Sequence, residues 1–224
     1  MKPLPSARLT LLATAVLGAA TLLPAADSAA PTSPARNRVV LWNGRDLDGW
    51  KVFLGVAAVD PRSVWSVADG ALKLASKASG YIRTTATYSN DRLHVEWRWP
   101  KDAAANTNSG VLLHLNGPDK IWPSCFECQL RAGSAGQIVG MYLDIPGAPM
   151  LSNRKRAPKL ADSSEKPFGE WNTYEIHCRA GTIEVFVNGV RQNRVDKLPV
   201  GAGAIALQME GHPIEFRNVW LEPQ

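Results

Sequence analysis

The 224-residue chain lacks several features that would define a function class at once. Its three cysteines allow at most one internal disulfide and leave one thiol over. None of the short motifs of zinc proteases, serine hydrolases, phosphate-binding loops or EF-hand calcium sites is present. The net charge is only +5, too small an excess to indicate nucleic-acid binding. No cofactor is evident, although a divalent metal ion held by Glu, Asp and His side chains of different strands would leave no spacing signature.

No apolar run is long enough to span a bilayer. The longest, LTLLATAVLGAATLL, has 15 residues, against roughly 20 required. It follows Lys2 and Arg8 and precedes the small-residue stretch PAADSAA, which is the layout of a secretory signal peptide. The sequence therefore predicts a signal peptide over residues 1–30, a Pro-rich tail over 31–38 and one domain over 39–224. We expect a secreted or periplasmic protein with no stable membrane insertion after cleavage; the oligomeric state is left open.

Helical periodicity is also missing from the rest of the chain. Short segments that alternate apolar and polar residues, such as LHVEWRW at 93–99, are separated by Gly, Pro and Asn and are typical of β-strands. Asp69-Gly70 and Asn188-Gly189 lie between such segments and indicate two-residue hairpins. The pattern predicts an all-β fold in which two antiparallel sheets pack as a sandwich or jelly roll. The tryptophans that alternate with polar residues are predicted to lie in its core: Trp65, Trp97, Trp99 and Trp220.

The cysteines are more consistent with burial in the core than with a metal-binding or redox role. Cys125 and Cys128 are three residues apart in SCFEC at 124–128, so in a strand they point to opposite faces. This argues against a metal or redox site at that pair. Cys128 and Cys178 both fall on apolar strand faces, which predicts either buried thiols or one bridge between these two residues.

Charged and amide side chains occupy one face of four predicted strands: Glu96 and Arg98, His114, Glu127 and Gln129, and Gln208 and Glu210. If these strands share a sheet, its outer face could hold a polar ligand through several hydrogen bonds. Each candidate also has a structural interpretation. Glu96 and Arg98 could form a ladder of surface ion pairs, and His114, whose pKa suits a general base, could be a structural histidine.

Four further segments contain candidate ligand-binding residues in predicted loops. Asn108 and Ser109 enter the strand of His114, and both residue types suit a turn. Trp122 could stack on a sugar ring or anchor its loop. His212 lies in a turn after Glu210. The basic run NRKRAPK at 153–159 is predicted to be a solvated loop, the alternative being a contact to an acidic ligand.

Blocks spread over the chain resemble one family. LWNGRDLDGW, VWSVADGAL, EWRW, NSGVLLH, FECQL, PFGEWNTYEI, VNGV and GAIALQMEGHPIEFRNVWLEP occur in the order of the 3-keto-disaccharide hydrolase domain family and cover nearly all of residues 39–223. The resemblance implies a concanavalin-like β-sandwich that binds sugar on its concave sheet and acts on glycosides oxidised to a ketone at carbon 3. It places Glu127 at the glutamate of the family's ExQ pattern and Asn108 and Ser109 in its NSG block. The chain has His114 where the family commonly has Arg, and Glu210 where it commonly has His.

Three functions follow from these observations. The first is cleavage of 3-keto-glycosides by elimination and hydration, with His114 as base, Arg98 or a divalent ion at the enolate, and Glu127 in proton transfer or in metal or hydroxyl binding. The alternatives are a carbohydrate-binding module of the same fold and a glycosidase that uses two carboxylates. The residues predicted to bind the sugar are Glu96, Asn108, Ser109, Trp122, Gln129, Gln208, Glu210 and His212.

Overall fold

The structure is a computed structural model that describes residues 37–75, 78–199 and 201–224. The predicted signal peptide and most of the predicted tail lie outside these residues. In the described part, no helix has the length and apolar character needed to cross a membrane. Apart from one 3-10 turn, Pro61–Ser63, the elements there are strands: β1 Val39–Val40, β2 Trp50–Leu54, β3 Trp65–Ala68, β4 Ala71–Leu74, β5 Ser79–Thr84, β6 Asp91–Arg98, β7 Gly110–Asn116, β8 Ser124–Gln129, β9 Ile138–Met141, β10 Met150–Leu151, β11 Arg154–Ala157, β12 Asn172–Arg179, β13 Thr182–Val187, β14 Val190–Val195, β15 Ala204–Glu210 and β16 Ile214–Pro223.

The strands form two antiparallel sheets, which confirms the predicted all-β sandwich. Sheet 1 has the order β14-β13-β12-β6-β16-β4-β3, with β1 paired to β16, and sheet 2 has the order β10-β11-β9-β8-β7-β15-β5-β2. Both predicted hairpins are present: Asp69-Gly70 joins β3 to β4, and Asn188-Gly189 joins β13 to β14. All four turn residues have positive φ, as the turn that matches the twist of a hairpin requires.

The two sheets bury one apolar core between them. Trp97 and Val95 of β6 belong to the same buried cluster as Phe126 and Cys128 of β8. Strand β6 alternates buried and half-buried residues, as expected for a strand with one solvated face. Strands β7, β8, β9 and most of β15 are instead buried on both faces, so part of the outer face of sheet 2, the face turned away from sheet 1, is also covered.

The core predicted for the tryptophans is correct except at β16. Trp97 and Trp99 are buried, and the half-buried Trp65 packs against the core. In β16 a bulge with Asn218 at φ 50° shifts the register before Trp220. Val219 and Leu221 enter the core instead, and Trp220 stacks against His94 on the outer face of sheet 1, with ring centroids 4.6 Å apart. The bulge interrupts the alternation on which the prediction relied.

The four polar-faced strands do not all share one sheet, because β6 lies in the other. Strands β8, β7 and β15 are consecutive in sheet 2, whereas β6 lies between β12 and β16 in sheet 1. Glu96 and Arg98 are therefore separated from Glu127 by the core. Arg217 donates to Glu96 at 2.6 Å and Arg98 donates to Glu215 at 2.7 Å, which is the ion-pair ladder given as the alternative. Alternation reveals that a strand has a polar face, but not which sheet it joins.

The structure confirms the prediction of buried thiols and corrects the prediction for the basic run. Cys125, Cys128 and Cys178 are free, buried thiols, and Cys125 and Cys128 belong to clusters on opposite faces of sheet 2. The predicted solvated loop at 153–159 is wrong, because Arg154–Ala157 forms β11 and pairs with β9.

Candidate functional site

Two polar side chains of sheet 2 converge above a glycine. Strand β7 lies between β8, which carries Glu127, and β15, which carries Gln208. A Cβ atom at Gly110 of β7 would lie 2.7 Å from Oε1 of Glu127 and 3.2 Å from Oε1 of Gln208. The missing side chain therefore provides the room in which the two neighbours meet.

This group is buried but incompletely hydrogen-bonded. Glu127 and Gln208 each expose 2% of their surface. Within the described part of the chain, both amide atoms of Gln208 and Oδ1 of Asn108 are buried without a hydrogen-bond partner. A buried polar atom without a partner costs about 1 to 3 kcal/mol. A bound ligand with several hydroxyl groups would supply the missing partners.

The pKa of the Glu127 carboxyl is raised well above that of an ordinary glutamate. The pKa of Glu127 is raised to about 8, chiefly by burial and also by the charge of Glu210, while Arg154 and Arg156 act in the opposite direction. Burial also raises the pKa of Glu210, whose Oε2 accepts a hydrogen bond of 2.5 Å from Nδ2 of Asn108. A carboxyl that titrates near the working pH is suited to proton transfer.

The loop and strand ends around Glu127 hold several of the other predicted residues. The backbone N–H of Asn108 lies 3.3 Å from Nδ1 of His212, so both are close to Glu210. Oε1 of Gln129 accepts from the backbone N–H groups of Leu130 and Arg131, which fixes the turn after β8. Ser109 donates to the backbone carbonyl of Gln208 at 2.8 Å, so its hydroxyl ties β7 to β15.

His114 is not joined to this group by any contact of the described residues. It lies in a bulge of β7 with φ 53°, which breaks the alternation used to place it. Its Nδ1 lies 2.9 Å from the carbonyl oxygen of Gly201, and its ring meets Phe126 edge-on at 6.5 Å between centroids. Burial lowers the pKa of His114. These contacts favour the structural alternative over a general base acting beside Glu127, although Nε2 of His114 is buried without a hydrogen-bond partner in the described part of the chain.

The segment 116–123 covers the other half of the outer face of sheet 2. Asp119 accepts hydrogen bonds from the hydroxyl of Tyr81 at 2.9 Å and from Nε of Arg83 at 2.7 Å. Trp122 packs on a second apolar cluster, in agreement with its interpretation as a loop anchor, and the guanidinium of Arg154 lies 4.8 Å from its ring centroid. The members of that cluster are Tyr81, Leu112, Leu115, Cys125, Met141, Ala204 and Ala206.

Arginines that were not among the predicted site residues complete the face. Arg154 and Arg156 of β11 act electrostatically on both Glu127 and Glu210. Arg131 and Arg156 help to line a cavity of about 510 Å³. The period-two spacing of the arginines in RKR was the available signal for a strand. No group of three His, Cys, Asp or Glu side chains suited to a metal ion occurs among residues 37–75, 78–199 and 201–224.

Comparisons with known proteins agree with this fold. A family model described as the 3-keto-alpha-glucoside-1,2-lyase-like domain matches residues 37–222. A crystal structure of a putative glycosyl hydrolase from Parabacteroides distasonis is 22% identical with a TM-score of 0.60, covering 84% of this chain and 94% of that one. A Bacillus licheniformis beta-glucanase (14% identity, TM-score 0.55, 81% and 94% covered) and the Bacillus subtilis carbohydrate-binding module CBM66 (9%, 0.56, 76% and 93%) share the fold. No curated protein matches.

Proposed function

Because the chain belongs to the family of 3-keto-alpha-glucoside-1,2-lyase-like domains, we propose that it cleaves the glycosidic bond of 3-keto-glycosides at the face centred on Glu127. Membership supports a carbohydrate-active protein; the ketone substrate and the reaction type are the proposal. The observation that carries it is a buried carboxyl whose pKa is raised to about 8, next to the Gln208 amide, which has no partner among the described residues.

The proposed reaction uses the acidity that a ketone confers on its neighbouring carbon. A base removes the hydrogen on carbon 2, and the electron pair of that bond forms an enolate with the ketone at carbon 3. As the enolate collapses, a double bond forms between carbons 1 and 2 and the bond from carbon 1 to the glycosidic oxygen breaks. This oxygen takes up a proton, and the aglycone leaves as an alcohol. Water adds across the resulting double bond, so the net result is hydrolysis. The route needs a base near carbon 2, a positive charge near the enolate oxygen and a proton donor for the leaving group.

The outer face of sheet 2 offers a residue for each requirement. Ionised Glu127 is the proposed base at carbon 2. Arg154, which already acts on the charge of Glu127, replaces Arg98 as the cation for the enolate, since Arg98 lies on sheet 1. Glu210, whose pKa is also raised, is the proposed donor to the leaving group, and Gln208 hydrogen-bonds the sugar hydroxyls.

A second candidate function is supported by the two carboxyls alone. Glu127 and Glu210 are on strands separated only by β7, which places their backbones about 10 Å apart. Both are close enough that the charge of Glu210 raises the pKa of Glu127. Glycosidases that act without a ketone use carboxyl pairs about 5 to 9.5 Å apart, a separation that side chains on strands at this spacing can reach.

Incubation with a 3-keto-glycoside and its unoxidised parent in heavy water separates these functions. We expect aglycone release from the ketone alone, with deuterium at carbon 2 of the product. Release from the parent would instead support the two-carboxylate glycosidase, and binding without release would support a carbohydrate-binding module. Glu127→Gln should lower turnover at least about tenfold, whereas Glu96→Gln on sheet 1 should leave it nearly unchanged. Full activity of Glu127→Gln, or a product without deuterium, would rule out the proposed role of Glu127.

We also propose that the protein is exported, on the basis of the signal-peptide pattern over residues 1–30. Mass spectrometry of secreted or periplasmic material should find a mature chain that begins between about residue 26 and residue 31. A cytoplasmic product that begins at Met1 would contradict this.

A further inference from the structure

Three arginines on or beside the outer face of sheet 2 have no carboxylate within ion-pair distance in the described part of the chain. They are Arg131, Arg154 and Arg156. The strand arginines of sheet 1 differ: Arg98 pairs with Glu215 at 2.7 Å and Arg217 with Glu96 at 2.6 Å. Paired arginines neutralise their own surface, whereas unpaired ones leave a positive potential that attracts anions.

Two of these arginines are placed by the sheet on the side of Glu127. Val139 of β9 pairs with Glu127 of β8 on one side and with Arg156 of β11 on the other, so the three residues form one row across the sheet. Arg154, two residues before Arg156, shares this face of β11. The guanidinium of Arg154 lies over the ring of Trp122 at 4.8 Å, and Nη1 of Arg156 donates to Oε1 of Gln137 at 3.4 Å. Both groups are thus partly fixed in position before any ligand binds.

The space between these arginines contains no opposing charge. A cavity of about 510 Å³ is lined by Arg131 and Arg156 together with neutral polar side chains, and no Asp or Glu is among its lining residues. A second cavity of about 460 Å³ shares Arg156 and contains Arg154, again without an acidic residue. These volumes are within the range of small-molecule sites, about 300 to 1,000 Å³. Glu210 and Glu127 lie nearby, and burial raises the pKa of both, that of Glu127 to about 8, which reduces the negative charge of Glu127 near neutral pH.

We propose that this arginine-lined part of the face binds an anionic substituent of the sugar ligand, either the carboxylate of a uronic acid or a sulfate ester. The inference rests on the proposed function for placing the sugar ring at Glu127. Guanidinium groups bind carboxylate and sulfate oxygens through paired, charge-assisted hydrogen bonds. The chain would therefore act on acidic rather than neutral glycosides.

Calorimetric binding of unoxidised methyl glycosides tests this preference, because without a ketone they cannot undergo the proposed elimination. The probes are methyl glucuronide, methyl glucoside 6-sulfate and neutral methyl glucoside. We expect at least one anionic probe to bind at least about tenfold more tightly than the neutral one. The anionic probe that binds more tightly identifies the substituent. Arg156→Gln should abolish this preference while changing affinity for the neutral probe less than about twofold.

Arg62→Gln provides the matched control, because it removes the same charge from a side chain that is 86% exposed in the 3-10 turn. It should leave the preference intact. Equal affinity of the wild type for all three probes, or an equal loss for all probes in Arg156→Gln, would overturn the inference. Failure here is distinguishable from failure of the proposed function, since a neutral 3-keto-glycoside would still be cleaved. Glu127→Gln should lower cleavage at least about tenfold while retaining the preference.

Discussion

Replacing Glu127 by glutamine should change how stability depends on pH. The pKa of this carboxyl is raised from 4.5 to about 8, chiefly by burial. Between these values the folded chain holds a proton that the unfolded chain has released, so the free energy of unfolding decreases as the pH rises. Each pKa unit corresponds to about 1.4 kcal/mol, and the whole shift therefore corresponds to about 5 kcal/mol of stability lost across the window.

Glutamine keeps the shape of the side chain and carries no titratable group, so its variant should escape this loss. Urea unfolding of both proteins can be followed by the fluorescence of the buried tryptophans Trp97 and Trp99. The stability of Glu127→Gln relative to the wild type should increase by about 4 kcal/mol from near pH 5 to above pH 8. All other groups titrate in both proteins, and their effects largely cancel in the difference.

Glu170→Gln controls for the loss of one carboxyl, because Glu170 is exposed. Its stability relative to the wild type should not show the large rise expected for Glu127→Gln. If the stability curves of Glu127→Gln and the wild type run parallel between pH 5 and pH 9, Glu127 ionises as an ordinary glutamate and the argument from burial is wrong.

Three further predictions concern the same face. If Glu127 is the base, kcat/KM should rise as the pH approaches about 8, and a flat pH profile would argue against that role. Gly110→Ala places a methyl group 2.7 Å from Oε1 of Glu127, so turnover should fall at least about tenfold with an unchanged circular dichroism spectrum; undiminished turnover would contradict the convergence above Gly110. Asp119→Asn removes the ionic partner of Arg83, and hydrogen exchange should accelerate in segment 116–123 but not in the β13–β14 hairpin. Equal exchange in variant and wild type would show that Asp119 does not hold the segment.

Local sequence rules predicted the features that local chemistry determines. The two hairpins followed from Asp-Gly and Asn-Gly, because only residues that tolerate positive φ allow the tight turn. The alternation in β8 correctly placed Cys125 and Cys128 on opposite faces. The same rule placed Glu127 away from the core, and the resemblance to the family independently selected it. Glu127 and Gln208 were then brought together by the pairing of both strands with β7.

The errors come from pairings between distant segments and from bulges. Arg98 was assigned to the wrong sheet because β6 pairs with β12 and β16, which are remote in sequence and carry no mark of that choice. Trp220 follows a bulge and His114 lies in one. One extra residue in a strand reverses the face on which later side chains lie. Arg154 and Arg156 were assigned to a loop because a short, charged strand among Pro and Ser resembles one.

The two outer faces should diverge differently among relatives of this protein. On sheet 1, Glu96 and Arg217 form an ion pair, and the loss of either removes the ionic partner of a half-buried side chain, so we expect replacements there to occur in matched pairs. On the outer face of sheet 2, Arg156 has no carboxylate partner in the described part of the chain and can be exchanged singly with little effect on folding. Covariation should therefore be found on the outer face of sheet 1, where ion pairs stabilise the fold. Independent variation should be found on the outer face of sheet 2, where we propose that related proteins differ in the substrates they bind.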